Sequence, residues 1–283
     1  MKNKVVQPVL KWAGGKRQLL PKIKKLVPKN IGTYYEPFLG GGAVLFSLQP
    51  GYAIVNDNNT ELINMYDVIK NNVDALILDL RKHRNEADYF YKIRRLDRTP
   101  QYNEMNNVQR ASRLIYLNKT CYNGLFRVNK NGEFNAPFGR YKNPNIVNEK
   151  VLRAVSNYLN TGHIELLNMD FEQALIGCEH SSFVYFDPPY YPVSDSSNFT
   201  GYTVNGFTKE DQIRLKNLCD KLTDKGVRWL LSNSSSPFII SLYNSKKYHI
   251  DYVTANRSIN SNPDARGEVK EVLIRNYEIK TNR

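Results

Sequence analysis

Between residues 33 and 72 the chain reads TYYE, PFLGGGAVLF, AIVND and ELINMYDVIKNN in succession. TYYE and AIVND are short runs of strand character, and the second ends in an acid. A helix fits 43–48, and 61–72 carries Leu62, Ile63, Met65, Tyr66 and Ile69 at helical spacing. A strand–helix–strand–helix start commits a chain to a mostly parallel sheet with helices on its faces. The rhythm returns further on. HIELLNMD (163–170) reads as a strand followed by a helix over FEQALIGC. SSFVYFD (181–187) is a buried-type strand, 209–225 an amphipathic helix and VRWLLSNS (227–234) another apolar strand. KYHIDYV and VKEVLIRNYE read as two strands pairing as an antiparallel edge.

The stretch between these blocks has another character. Residues 73–160 are helical in propensity and rich in Arg, Asn and Tyr. They contain a hairpin-like run, GLFRVNKNGEFNAPFG (124–139), with LFRVN and EFNAP as its strands and Asn131-Gly132 as a two-residue turn. The expected fold class is α/β: an open sheet domain built from 1–72 and 161–283, with a mainly helical, hairpin-bearing module inserted at 73–160. A chain of 283 residues buries a sizeable core without staples.

Charge is uneven along the chain. There are 40 Lys and Arg against 27 Asp and Glu, and residues 81–150 alone hold 15 of the former and 6 of the latter. A second cluster, Lys11, Lys16, Arg17, Lys22, Lys24, Lys25 and Lys29, contains no acid. Two basic segments read as the footprint of a polyanion. No apolar run approaches the roughly 18 residues of a membrane span, and the polar start lacks a signal core. The three cysteines, Cys121, Cys178 and Cys219, form no CxxC pair and no disulfide framework, so a cytoplasmic protein is expected. His83, His163, His180 and His249 lack metal-ligand spacing, and no metal is expected.

Three segments carry chemistry. Pro37-Phe38-Leu39-Gly40-Gly41-Gly42 follows a strand and opens a helix, where glycines let backbone approach a ligand. Asp57 ends the next strand, where an acid commonly holds ribose hydroxyls. Leu45 replaces the third glycine of GxGxxG, which weakens a dinucleotide site and leaves a nucleoside-bearing ligand. Lys11-Trp12-Ala13-Gly14-Gly15-Lys16 fails as a P-loop, because Leu10 and Arg17 stand where Gly and Ser or Thr are needed. Asp187-Pro188-Pro189-Tyr190 is the sharpest signal. It follows FVYF at the C-terminal end of a strand, the edge where open α/β sheets place ligands. A carboxylate, a proline-fixed carbonyl and a flat aromatic suit a planar amine such as the amino group of adenine.

KWAGGK, EPFLGGGAV, ND, NMD and FDPPY, in that order, resemble the Dam-type DNA adenine-N6 methyltransferases, and most of all the modification methylases of DpnII-type restriction systems. The likeness spans about residues 9–278, and YNGLFRVNKNGEFNAPFGRYKNP (122–144) resembles the family's recognition hairpin. The resemblance implies a Rossmann-like, S-adenosylmethionine-dependent methyltransferase sheet and methyl transfer to adenine N6 in duplex GATC after base flipping. It implies that Trp12, Ala13, Gly14, Lys16, Pro37, Phe38, Gly40, Gly42, Asp57, Asp170, Phe171 and Asp187 contact the cofactor. Asp187, Pro188, Pro189 and Tyr190 would be catalytic. Lys11, Leu125, Arg127 and Pro137 would read base edges, with Asn135, Arg140 and Tyr141 also on DNA, and Tyr122 and Asn123 would support the distorted duplex. A monomer acting as the modification half of a restriction system, with a cognate endonuclease encoded nearby, completes the implication.

Other readings stay open at this point. An RNA adenine methyltransferase would share the DPPY chemistry. A cytosine-N4 enzyme would favour Ser where Asp187 stands. A non-catalytic DNA-binding protein could keep the fold. The polar, Gly- and Ser-bearing segment 191–206 suits a lid over the site.

Overall fold

The computed structural model describes residues 2–12, 14–193, 206–256 and 268–279. The predicted alternation holds. The strands are β1 (Tyr34–Glu36), β2 (Tyr52–Asn56), β3 (His163–Leu167), β4 (Phe183–Phe186), β5 (Arg228–Ser234), β6 (His249–Asn256) and β7 (Glu268–Arg275). They form one sheet in the order β3-β2-β1-β4-β5-β7-β6. β1 to β5 run parallel, and β7 is antiparallel to both neighbours, β5 and β6. The C-terminal pair is thus an antiparallel edge, as its sequence suggests. The strand order reverses between β1 and β4, which opens a crevice at their C-terminal ends.

Side chains alternate across the sheet with the strand period of two. Tyr34, Phe183, Tyr185, Leu230 and Leu273 enter one apolar core, whereas Tyr35, Val184, Phe186, Trp229, Leu231, Val272 and Ile274 enter the other. The second core is covered by α9 (Lys209–Asp224) and α10 (Pro237–Tyr243), through Leu215, Cys219, Leu222, Ile239 and Tyr243. The first is covered by α1 (Leu20–Leu26), α2 (Ala43–Leu48), α3 (Thr60–Asn71), α4 (Val73–Leu80), α7 (Asn107–Thr120) and α8 (Glu149–Thr161). The side chains of 73–160 are therefore continuous with the core of this face. Leu76, Phe90, Leu117, Leu152 and Leu159 share it with Leu62 and Met65. α5 (Ala87–Arg95) and α6 (Gln101–Glu104) complete the inserted segment. Local signals set the boundaries: Asn106 and Gln109 form a capping box on α7, Thr208 and Asp211 one on α9, and Ser236 with Pro237 starts α10.

Two local expectations are corrected. FEQALIGC forms no α-helix but a single 3-10 turn at Gln173–Leu175. Asp170 accepts the Glu172 amide as a turn and Gly177 takes φ 89°, so the chain bends away before a helix propagates. The hairpin turn is wider than Asn131-Gly132. Asn129 N–H donates to the Glu133 carbonyl, and only Gly132 of the loop has positive φ. The Asn129 side chain accepts the amides of Asn131 and Glu133 and holds a three-residue loop with glycine in the left-handed position. The arms pair through single antiparallel bridges, Val128 with Phe134 and Cys121 with Phe138, rather than as full strands.

No described helix is long and apolar enough to cross a membrane. Cys121, Cys178 and Cys219 are buried and free. Among the described residues no cluster of His, Cys, Asp or Glu could hold a metal ion. Most of 191–206, along with Ala13, lies outside the described residues.

Candidate active site and nucleic-acid interface

The four loops that leave β1, β2, β3 and β4 meet at one edge of the sheet. Asn56, buried at the end of β2, ties three of them together. Its amide nitrogen donates to the carbonyls of Pro37 and Met169, and its oxygen accepts the Met169 amide. Asp57 receives the amide of Gly40 at 2.9 Å on one oxygen and that of Asn59 at 2.9 Å on the other. Burial raises its pKa above the ordinary aspartate value, and the two amides oppose the rise. Each oxygen keeps a lone pair for a hydroxyl donor.

The glycines of the loop after β1 serve a close approach by a side chain. A Cβ on Gly40 would stand 2.9 Å from Trp12 Cδ1, and one on Gly41 3.0 Å from Trp12 Cβ. Gly40 and Gly42 have φ of 49° and 68°. Trp12 therefore lies on the glycine loop, and its other neighbour is Phe126 of the hairpin, stacked at 4.8 Å. Phe38, Phe171 and Phe207 come from three different loops and meet at 5.3–5.8 Å between ring centres. Asp170 pairs with Arg214, whose guanidinium also covers Phe171 at 4.9 Å. Phe207 and Arg214 escape the sequence reading, because neither spacing nor local pattern marks them.

Asp187 follows β4 directly. Lys16, itself 4% exposed, forms an ion pair with it at 2.7 Å. The same ammonium donates to the Gly14 carbonyl and lies 4.7 Å from the centre of the Tyr190 ring. The Asp187 pKa is raised to about 6, chiefly by burial, with Lys16 pulling it down and Glu271 adding to the rise. The Tyr190 hydroxyl donates to Glu271 Oε2 at 2.9 Å. Gln212 donates to the Pro189 carbonyl, and Asn233 accepts the Tyr191 amide while donating to Gln212. No described residue donates to the Pro188 carbonyl. Among the described residues the motif thus presents one carboxylate, and one carbonyl that meets no donor, beside a fixed aromatic ring.

The hairpin is bound to this edge through Asn118 of α7. Its side chain accepts the Lys11 amide and donates to the carbonyls of Lys11 and Gly124. Asn123 and Gly124 take φ of 56° and 64° in succession, and the Tyr122 ring is left 54% exposed. Asparagine and glycine are the residues that accept this backbone conformation. Arg127 crosses the hairpin to Asn135, with Nε on the side-chain oxygen at 2.6 Å and Nη2 on the carbonyl at 3.1 Å. Pro137 and Arg140 are exposed, and Lys11 Nζ lies 5.9 Å from the Tyr141 ring. Leu125 is half-buried between them in sequence.

The basic excess of 81–150 divides in two. Arg94 and Arg98 donate to the carbonyls of Ala136 and Phe134, and Arg113 pairs with Asp97, which accepts the Phe134 amide. These arginines hold the hairpin backbone. Lys119 instead has its pKa lowered by burial and by the nearby charges of Lys11 and Arg17.

An α/β sheet in this order, with an acid after β2 and Asp-Pro-Pro-Tyr after β4, is the architecture of a Rossmann-like methyltransferase. The family model for D12-class N6 adenine-specific DNA methyltransferases matches residues 12–259, and the chain belongs to that family. It is 44% identical over 279 residues to the type II methyltransferase M1.LlaDCHI of Lactococcus lactis subsp. cremoris, covering 98% of each chain. It is 44% identical to the type II methyltransferase M.MjaIII of Methanocaldococcus jannaschii, covering 96% of this chain and 99% of that one. It is 34% identical to the DNA adenine methylase of Escherichia coli K12, covering 93% of each. The protein is an adenine-specific DNA methyltransferase, its substrate is DNA and it requires a methyl donor.

Proposed function

We propose that this enzyme transfers a methyl group from S-adenosylmethionine to N6 of adenine in duplex GATC, as the modification half of a type II restriction system. The single observation that carries the chemistry is the Asp187 carboxylate set with the Pro188 carbonyl, which meets no donor among the described residues, beside the Tyr190 ring. An adenine amino group has two N–H donors, and these are two acceptors for them. With both protons held, the nitrogen lone pair is left perpendicular to the ring plane, where an acceptor methyl can be met in line. Target adenine lies inside a duplex, so it must leave the stack, at a cost of a few kcal/mol offset by the pocket and by backbone contacts. Tyr190 supplies the stacking face. Lys16 rests on that ring and on Asp187, so a base stacking on the same face requires the ammonium to withdraw.

The residues present fit the proposed cofactor. Asp57 has acceptor capacity for ribose hydroxyls. Phe38, Phe171 and Phe207 offer apolar faces for a purine. Asp187 and Tyr190 favour a cation. When bound, S-adenosylmethionine supplies an electrophilic methyl on a sulfonium sulfur. Trp12, Gly14, Lys16, Pro37, Gly40, Gly42 and Asp170 would complete its surroundings. As Asp187 keeps its charge above about pH 6, it orients the amino group and stabilises the positive nitrogen that develops; the excess proton passes from that nitrogen to solvent.

The DNA contacts are proposed from the hairpin. Asn135 holds the Nε side of Arg127, leaving an edge of the guanidinium able to meet guanine O6 and N7. Lys11, Leu125 and Pro137 flank it as further base readers. The outward Tyr122 ring on the Asn123-Gly124 turn suits insertion into the gap beside the extruded adenine, and Arg140 and Tyr141 suit the backbone. GATC is supported by the resemblance of 122–144 to the recognition hairpin of the Dam-type family, and adenine as the target by the likeness to the E. coli DNA adenine methylase. The restriction role is supported by the two type II relatives. We divide the chain functionally into a catalytic part, 1–72 and 161–283, and a recognition part, 73–160, acting as a cytoplasmic monomer. Asp187→Ala tests the chemistry: turnover of a GATC duplex should be lost while DNA binding persists, and undiminished turnover would overturn the assignment.

A further inference from the structure

Glu271 belongs to no motif. It lies on β7, opposite Ser234 of β5 and Val253 of β6, 81 residues beyond Tyr190. It is 8% exposed, and its Oε2 receives the Tyr190 hydroxyl at 2.9 Å. Burial and the neighbouring carboxylates hold the Tyr190 pKa well above its ordinary value, so the phenol keeps its proton and stays a directional donor. A tyrosine ring has two side-chain torsions. Its backbone is already fixed by Gln212 on Pro189 and Asn233 on Tyr191. The bond at the ring tip removes the remaining freedom, and with it the freedom of whatever stacks on the ring.

We propose that Glu271 is a positioning residue for methyl transfer, holding the Tyr190 ring in the plane that the target adenine must adopt and setting the charge around Asp187. This rests on the proposed roles of Asp187 and Tyr190. Among the described residues the ionisable groups facing Asp187 are Lys16, Glu36, Tyr185, Tyr190 and Glu271, and only Lys16 of these is a cation. Glutamine at 271 would still accept the phenol but would remove one negative charge. Alanine would remove both the acceptor and the charge.

The test is the rate of methyl transfer by full-length variants on a GATC duplex, with kcat, KM for DNA, pH profile and thermal midpoint measured for each. Glu271→Ala should lower kcat about tenfold or more above pH 7.5, with KM within about threefold. Glu271→Gln should keep kcat within about threefold and move the acid limb to lower pH, because a charge that raises the Asp187 pKa is gone. In a Tyr190→Phe background, Glu271→Ala should cost less than about twofold further, since the two act through one bond. Wild-type kcat in Glu271→Ala, equal losses in both backgrounds, or an unmoved acid limb in Glu271→Gln would overturn the proposal. Asp187→Ala is run beside them. If it is active, the site reading falls and takes this proposal with it; if it is inactive while Glu271→Ala is unimpaired, only the role of Glu271 falls.

Discussion

Asp187 sits under opposed influences, with burial and Glu271 raising its pKa and Lys16 lowering it, and the balance rests at about 6. A raised carboxylate value means the group is protonated below that pH. A protonated Asp187 loses acceptor capacity and the charge that stabilises the developing cation. Single-turnover methylation between pH 5 and 8 should therefore fall as pH drops through about 6, and Asp187→Asn should abolish that limb along with most of the rate. A rate that stays flat down to pH 5 would contradict this account. Arg127 is tested by specificity. Arg127→Ala should relax discrimination at one base pair by about 1–3 kcal/mol, whereas a phosphate contact would weaken all sequences alike and reduce the salt slope by about one. Competition between duplexes altered at single positions separates the two.

At the scale of elements, the hairpin depends on α5 and α7. Asp97 accepts the Phe134 amide and pairs with Arg113 and Arg98. Asp97→Ala leaves a buried arginine without its charge partner and should cost about 3–5 kcal/mol of stability; a thermal midpoint equal to that of the wild type would show the anchor to be idle. His83 packs under α7, stacked on Tyr116 and bonded to Tyr89 and Ser112. Burial lowers its pKa from 6.5 to about 4. Protonation thus favours the unfolded chain: the stability contributed by neutral His83 is complete above about pH 6.5 and is lost as pH falls toward 4, amounting to at most roughly 3 kcal/mol. His83→Gln should flatten the pH dependence of stability in that window, and unchanged curves would contradict the assignment. These elements also show what a sequence can disclose. The strands β4 and β5 are legible because buried parallel strands are continuous apolar runs, and the DPPY edge follows from them. Asn118, Gln212 and Glu271 are not legible. Each is an ordinary polar residue whose importance comes from long-range contacts that join loops far apart in the chain. The helix expected at 171–178 fails for a related reason, since an Asp170 turn and a left-handed Gly177 override its propensity.

In the whole molecule, Trp12 joins the edge that carries the glycine loop to the hairpin, touching that loop and stacking on Phe126. Recognition and chemistry are then one mechanical unit, held together on the core shared by the sheet and the helices of 73–160. If the proposed DNA contacts include phosphates held by the basic surface, affinity should fall with salt on every duplex while discrimination is preserved. The measurement that tests the central claim most directly uses labelled S-adenosylmethionine with two duplexes matched in length and composition, one carrying GATC and one a scrambled site. The product is digested to identify the methylated nucleoside. The account predicts N6-methyladenine in the GATC duplex alone. Equal methylation of both duplexes, or label on any other base, would contradict it.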